Sequence, residues 1–217
     1  MPVDFPAWDR VYAFYRRWRD TGLIAEFHDR LRVQVRGCAG RDAEPTAGII
    51  DSQSVKGAAS VPAASRGFDG GKLINGRKRH VVVDCLGLLL MVLVTAADVT
   101  DRDAACGMLQ HLSCRYRKIT WVWVDGGYTG RLASWAKETL QLTLDDVKRR
   151  DNTTGFVVLP RRWVVERTLS CLLRSRRLAR DYETLTASSE ALVLWSMTML
   201  MGRRLGRHNP GLHLATA

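Results

Sequence analysis

The sequence predicts an α/β fold with a mixed, α+β-type sheet, and three observations predict it. Short β-rich runs crowd the middle of the chain, two of them separated only by a turn. Apolar runs and amphipathic helical patterns then alternate, and a long helical pattern closes the chain. With 217 residues, 46% of them hydrophobic, the chain is long enough for one well-buried domain plus a smaller appendage.

The elements follow in order. From Trp8 to Arg36, Val11, Phe14, Tyr15 and Trp18 repeat at helical spacing, Thr21-Gly22 interrupts them, and Leu23, Ile24, Phe27 and Leu31 resume. Two helices are expected there, as a plain hairpin or as a DNA-contacting helix-turn-helix. Gly37 to Gly48 has linker composition. Ala47 to Val55 is a short apolar run with polar residues at its end, as expected of a buried strand. Lys56 to Gly76, rich in Gly, Ser and Ala, reads as a mobile loop. Arg77–Asp84 and Leu88–Thr95 form an expected hairpin around Asp84-Cys-Leu-Gly87. Asp98 to Leu112 reads as a helix capped by Asp98 or Thr100. Ile119–Asp125 is a strand, Thr129–Leu140 a helix and Leu142–Lys148 a last strand. A helix is expected from Trp163 to about Tyr182, and another from about Ser188 to Leu205. Three antiparallel strands followed by α/β units match a ribonuclease H-like arrangement better than a doubly wound sheet. The expected organisation is a helical N-terminal segment over 1–40, a catalytic domain over 45–205 and a tail over 206–217.

Charge narrows the partners. Lys+Arg number 33 against 22 Asp+Glu, a net charge of +11, which suits a polyanion such as nucleic acid. The same balance suits an anionic membrane surface or a basic soluble protein. The five cysteines are scattered with no CxxC pair, fitting neither a disulfide framework nor a zinc site and pointing to a reducing, cytoplasmic compartment. The apolar stretches Leu86–Ala97 and Ala191–Met201 are too short to span a bilayer, so no membrane partner is expected.

Three carboxylates stand out. Asp51 follows Gly48-Ile49-Ile50, in or at the end of a strand where an unpaired aspartate is costly. Read alone it is as well a capping or turn residue. Asp125 closes Trp121-Val122-Trp123-Val124 and precedes Gly126-Gly127-Tyr128, glycines that let backbone approach a phosphate closely. Read alone it marks an ordinary strand-to-helix turn. Glu166 shares a helical face with Arg162, Ser170, Arg174 and Arg177, beside Val165, Leu169 and Leu172. Alone it is an intrahelical ion-pair residue. Together, two strand-end aspartates and a helix-borne glutamate can converge, and crowded carboxylates need cations. Two Mg²⁺ or Mn²⁺ ions, hard cations that take oxygen ligands, would supply that charge for phosphoryl transfer.

The segments IIDSQSVK, GRKRHVVVDCLGLLL, AADVTDRDAA, WVDGGYTG, FVVLPRRWVVERT and SRRLARDYE resemble, in that order, bacterial insertion-sequence transposases of insertion sequence family 5. The resemblance runs from about residue 5 to 205. It implies that Asp51, Asp125 and Glu166 are a DDE triad. The family pattern around the glutamate is Tyr, two residues, Arg, three residues, Glu, six residues, Lys. Arg162 and Glu166 match it; the Tyr position is Leu159, and the Lys position is Leu173, with Arg174 one step later.

The implied activity is metal-dependent cleavage at transposon ends, freeing a 3′-hydroxyl that attacks target DNA in one transesterification. The implied partners are double-stranded DNA, as terminal repeats and target, and a second copy in a homodimer on that DNA; the implied location is the cytoplasm, with the nucleoid. Lys78, Arg79, Lys148, Arg162, Arg174 and Arg177 are the candidate phosphate contacts, whereas His80 reads as a strand residue. Family members usually carry some tens of residues ahead of the segment resembling PAWDRVYAFYRRWRD. The alternative expectation is therefore an N-terminally shortened remnant that binds DNA without transposing it.

Overall fold

The computed structural model of the protein describes residues 4–147 and 160–208. Two helices lead, α1 (Trp8–Asp20) and α2 (Leu23–Cys38). Then come β1 (Ala47–Lys56), β2 (Gly67–Asp69), β3 (Ile74–Val83), β4 (Leu89–Ala96), α3 (Asp101–Arg115), β5 (Trp121–Val124), α4 (Arg131–Leu140) and β6 (Thr143–Asp146). Helices α5 (Arg162–Leu173) and α6 (Thr186–His208) follow.

β3 pairs antiparallel with both β1 and β4, while β1, β5 and β6 run parallel. The order β4-β3-β1-β5-β6, antiparallel on one half and parallel on the other, is the ribonuclease H-like sheet expected from the element order. The expected loop over 56–76 is partly ordered: β2 pairs with the first three residues of β3.

Alternation along the strands builds two cores, because successive side chains point to opposite faces. Ile50, Val82 and Val122 pack with Ala105, Met108 and Leu112 of α3 and Leu132 and Ala136 of α4. Ile49, Val81 and Val83 pack instead with Val165, Leu169 and Leu172 of α5 and Val193 and Met197 of α6. Thr100 caps α3 by accepting from the Asp103 N–H, as one of the two expected cap residues.

The helix expected to run to Tyr182 ends at Leu173. Ser175 turns extended, a short 3₁₀ turn spans Arg176–Leu178, and Leu178 is buried in the α5/α6 core. Burying Leu178 and aiming its carbonyl at Arg79 (2.7 Å) overrides the local helical pattern.

Two further features hold the sheet. At the β3–β4 turn Asp84 is fully buried, accepts from the Leu86 and Leu88 N–H groups (both 2.9 Å) and ion-pairs with Arg36 of α2. At the outer edge of β4 the Val94 N–H donates to the Glu190 carboxylate (2.9 Å), and the Tyr116 hydroxyl faces the Leu90 carbonyl at 3.5 Å. Burial pushes the Glu190 carboxyl above its ordinary range.

Candidate active site

The parallel ladder between β1 and β5 pairs Ala47 with Trp121 and Ile49 with Trp123. Continuing that register by two residues sets Asp51 beside Asp125. Ile49 packs against α5, so period-two alternation turns Asp51 to that same face. Glu166 comes from α5, whose Val164, Val165 and Leu169 are pressed on the sheet. Two strands and one helix thus deliver three carboxylates to one region.

Each acid has local support. Asp51 Oδ1 accepts from the Ser52 N–H at 2.7 Å. Asp125 Oδ1 accepts from the Gly127 N–H at 2.9 Å, capping the one-turn 3₁₀ helix Gly126–Tyr128. Arg102 holds that turn from α3 through the Gly127 carbonyl (3.0 Å). One guanidinium serves two of the acids: Arg162 Nη2 lies 3.7 Å from Glu166 Oε1 and 3.9 Å from Asp125 Oδ2. Just before it, Arg161 sits at φ +74°, a conformation costly for a side-chain-bearing residue, with its guanidinium 4.3 Å over the Trp123 ring.

Burial dominates the electrostatics at Asp51. Burial pushes the Asp51 carboxyl up to about 6, and the neighbouring Asp125 charge adds to it. The Ser52 N–H, Arg162 and Lys72 pull the other way without restoring the ordinary value. Among the described residues no three acidic, His or Cys side chains converge tightly enough to chelate a single ion. Such a donor set suits Mg²⁺-like ions held by one or two carboxylates and completed by phosphate and water oxygens.

Two residues enter that the sequence reading passed over. Tyr128 is buried; burial and then the charges of Asp101, Asp51 and Asp125 push its hydroxyl well above the usual phenol range. Its sequence signal was the Asp-Gly-Gly-Tyr turn itself. Lys72, exposed in the turn between β2 and β3, acts electrostatically on Asp51, Asp69 and His80. Its signal was a lysine following the glycine pair Gly70-Gly71.

The candidate phosphate contacts divide. Arg162 stands at the acids, Arg174 is exposed at the end of α5, and Arg177 is exposed but pairs with Glu183 at 2.7 Å. Lys78 and Arg79 are instead buried inside the protein. Lys78 Nζ donates to the Val99 carbonyl (2.9 Å) and faces Asp101 at 3.3 Å, while Arg79 donates to Leu178. The basic run sits mid-sheet in β3, roofed by α3's first turn and the segment after α5, so neither reaches a surface phosphate. Lys148 and Leu159 lie outside the described residues. His80 is a buried strand residue, lowered to about 4 by burial and bonded to Thr95 at 3.0 Å.

A family model described as a transposase DDE domain matches residues 42–201. None of the functionally curated proteins matches the chain. Similar solved structures include a chain of the simian T-cell lymphotropic virus intasome in complex with PP2A regulatory subunit B56 gamma. It is 19% identical at a TM-score of 0.43, over 70% of this chain and 48% of that one. Another is the HTLV-2 integrase catalytic core domain in complex with magnesium, in its dimeric form. It is 17% identical at a TM-score of 0.41, over 70% of this chain and 85% of that one.

Proposed function

Because the chain belongs to the transposase DDE domain family, its match covering residues 42–201, we propose that it cuts and rejoins DNA as a transposase. In this reading Asp51, Asp125 and Glu166 are the catalytic and metal-binding acids. The observation that carries it is their nearness: Asp51 within β1 and Asp125 just past β5 turn to the same sheet face, and Arg162 lies 3.9 Å from Asp125 and 3.7 Å from Glu166.

The substrate is double-stranded DNA, as transposon ends and target. Two divalent ions, Mg²⁺ or Mn²⁺, would when bound supply the charge that steadies the attacking and leaving oxygens of the phosphodiester. Asp51, Asp125 and Glu166 would hold those ions, one or two carboxylates to each, and an all-oxygen set fits them. Arg162 orients Asp125 and Glu166 and offers its guanidinium to a phosphate. Arg174 and Lys72 extend the same hold along the backbone, and Arg161 is kept in place over Trp123.

The chemistry passes between oxygens of water and DNA. In the first step a water oxygen bonds to phosphorus and the 3′-oxygen leaves, taking a proton to become a hydroxyl. In the second that hydroxyl attacks a target phosphodiester, one P–O bond forming as another breaks, so no outside energy source is required. A protein nucleophile has no place in this scheme. Ser52 is buried, and Tyr128 is buried with its hydroxyl pushed away from ionisation.

The deciding experiment uses duplexes carrying the inverted repeats that flank the coding frame, with Mg²⁺ or Mn²⁺, followed for nicking and for 3′-end joining. Wild type is expected to do both and Asp125→Ala neither. Identical behaviour of the two proteins sinks the reading. Binding without metal-dependent cleavage establishes the DNA-binding remnant instead, and cleavage without joining a nuclease.

A further inference from the structure

Helix α1 is amphipathic but buries none of its residues. Polar anchors dock it: the Tyr15 hydroxyl donates to the Ser188 carbonyl (2.7 Å) and Arg19 donates to the Ser188 hydroxyl (2.5 Å), both at the start of α6. Its apolar stripe of Val11, Phe14 and Trp18 stays in water. The stripe continues onto neighbouring helices as a line of rings. Phe14–Trp18, Trp18–Trp195 and Trp195–Phe27 are spaced at 6.3, 6.1 and 6.2 Å. These four side chains are 37–50% exposed. Two apolar clefts, of about 450 and 180 Å³, flank the line and share Trp18 and Trp195 as walls. Among the described residues nothing covers this face.

We infer that the aromatic face formed by α1, α2 and α6 seats a second copy of this chain, without DNA. Area is the first argument. An aromatic side chain can bury about 150–250 Å², so these four rings with Val11 and Leu23 leave on the order of 500 Å² of apolar surface in water. A standard interface takes about 800 Å² per partner, roughly three-fifths of it apolar, so one such face per copy is what a two-fold pairing requires. Patches of this size rimmed by polar residues mark association sites.

Self-complementarity is the second argument. The line of rings carries Arg17 at one end, 5.5 Å over Phe14, and the Glu26–Arg30 ion pair beside Phe27 at the other. A two-fold axis near Trp18 and Trp195 reverses the line, laying rings on rings. Such a contact closes on itself and stops at two copies.

The charge of +11 on each copy makes two chains repel, so an apolar pairing tightens when salt screens that repulsion. Association through DNA phosphates weakens with salt instead. The test is sedimentation equilibrium without DNA, from about 1 to 100 µM, at about 0.15 and 0.5 M NaCl. Wild type is expected at twice 24.4 kDa, with association no weaker at the higher salt. Phe14→Asp and Val11→Asp, both exposed positions expected to keep the melting temperature, should raise the dissociation constant by about 100-fold or more. Leu73→Asp, 74% exposed on the far hairpin, should leave it unchanged. A wild-type monomer throughout the range overturns the inference and gives the face to another occupant. Species larger than a dimer that grow with concentration also overturn it, as does a dimer indifferent to Phe14→Asp. DNA is absent throughout, so failure here leaves the reading of the acidic site untouched.

Discussion

Replacing Asp51 by asparagine should stabilise the protein at neutral pH while abolishing its chemistry. The unfolded carboxyl ionises near 3.8 and the folded one near 6. Between those values the folded chain binds the extra proton, so stability falls as pH rises through the window and stays lower above it. About two pH units correspond to roughly 3 kcal/mol, an upper value for a partly buried group. The asparagine side chain keeps an oxygen for the Ser52 N–H and carries no charge. For a chain of this size 1 kcal/mol moves the melting temperature about 2–4 °C. Asp51→Asn is therefore expected to melt about 5–10 °C above wild type at pH 7.5, with the gain gone near pH 4, where both side chains are neutral. Scanning calorimetry at the two pH values measures it. Millimolar Mg²⁺ should then narrow the gap by raising wild type alone. A lower melting temperature for the variant at pH 7.5, or an equal gain at both pH values, refutes the claim that burial of a charge dominates at this position.

Other outcomes follow from single contacts. Arg36→Leu strips the buried Asp84 carboxylate of its cation and should cost about 3–5 kcal/mol in urea unfolding. Gly76→Ala would place a Cβ 2.0 Å from the Val55 carbonyl where β3 meets the ends of β1 and β2; a loss above about 4 kcal/mol, seen as failure to fold, is expected. Arg174→Gln should lower the salt slope of DNA binding by about one. Arg79→Met, confirmed folded by circular dichroism, should leave that slope unchanged because the side chain is internal. Asp125→Asn should reduce cleavage by more than about 100-fold, the scale on which even a partner of a metal ligand acts.

The element order and the placement of Asp51, Asp125 and Glu166 on their elements were legible because both are written in local pattern. Asp51 and Asp125 each interrupt an apolar run, and Glu166 stands on a face whose neighbours Val165, Leu169 and Leu172 must be buried. The fate of the Arg77–His80 run was not legible. A basic tetrapeptide looks like surface, and only its position mid-sheet, with Asp181, Val99 and Leu178 supplied by distant segments, turns it inward. Likewise nothing local ends α5 at Leu173: the break serves Leu178 and Arg79, partners about a hundred residues apart. Lys72 and Tyr128 escaped for the opposite reason, since each is unremarkable until the fold carries it towards the acids.

The outer edge of β4 has a consequence for how the protein survives at high concentration. A bare strand edge is a template on which neighbouring chains can build cross-strand ladders and precipitate. Here the Glu190 carboxylate occupies the rung at Val94, and Tyr116 guards the carbonyl of Leu90. Because burial makes Glu190 take up a proton earlier than an ordinary glutamate on acidification, mild acid weakens the latch while most surface carboxylates are still charged. Protonation of that one side chain is therefore expected to loosen the end of the sheet first on acidification.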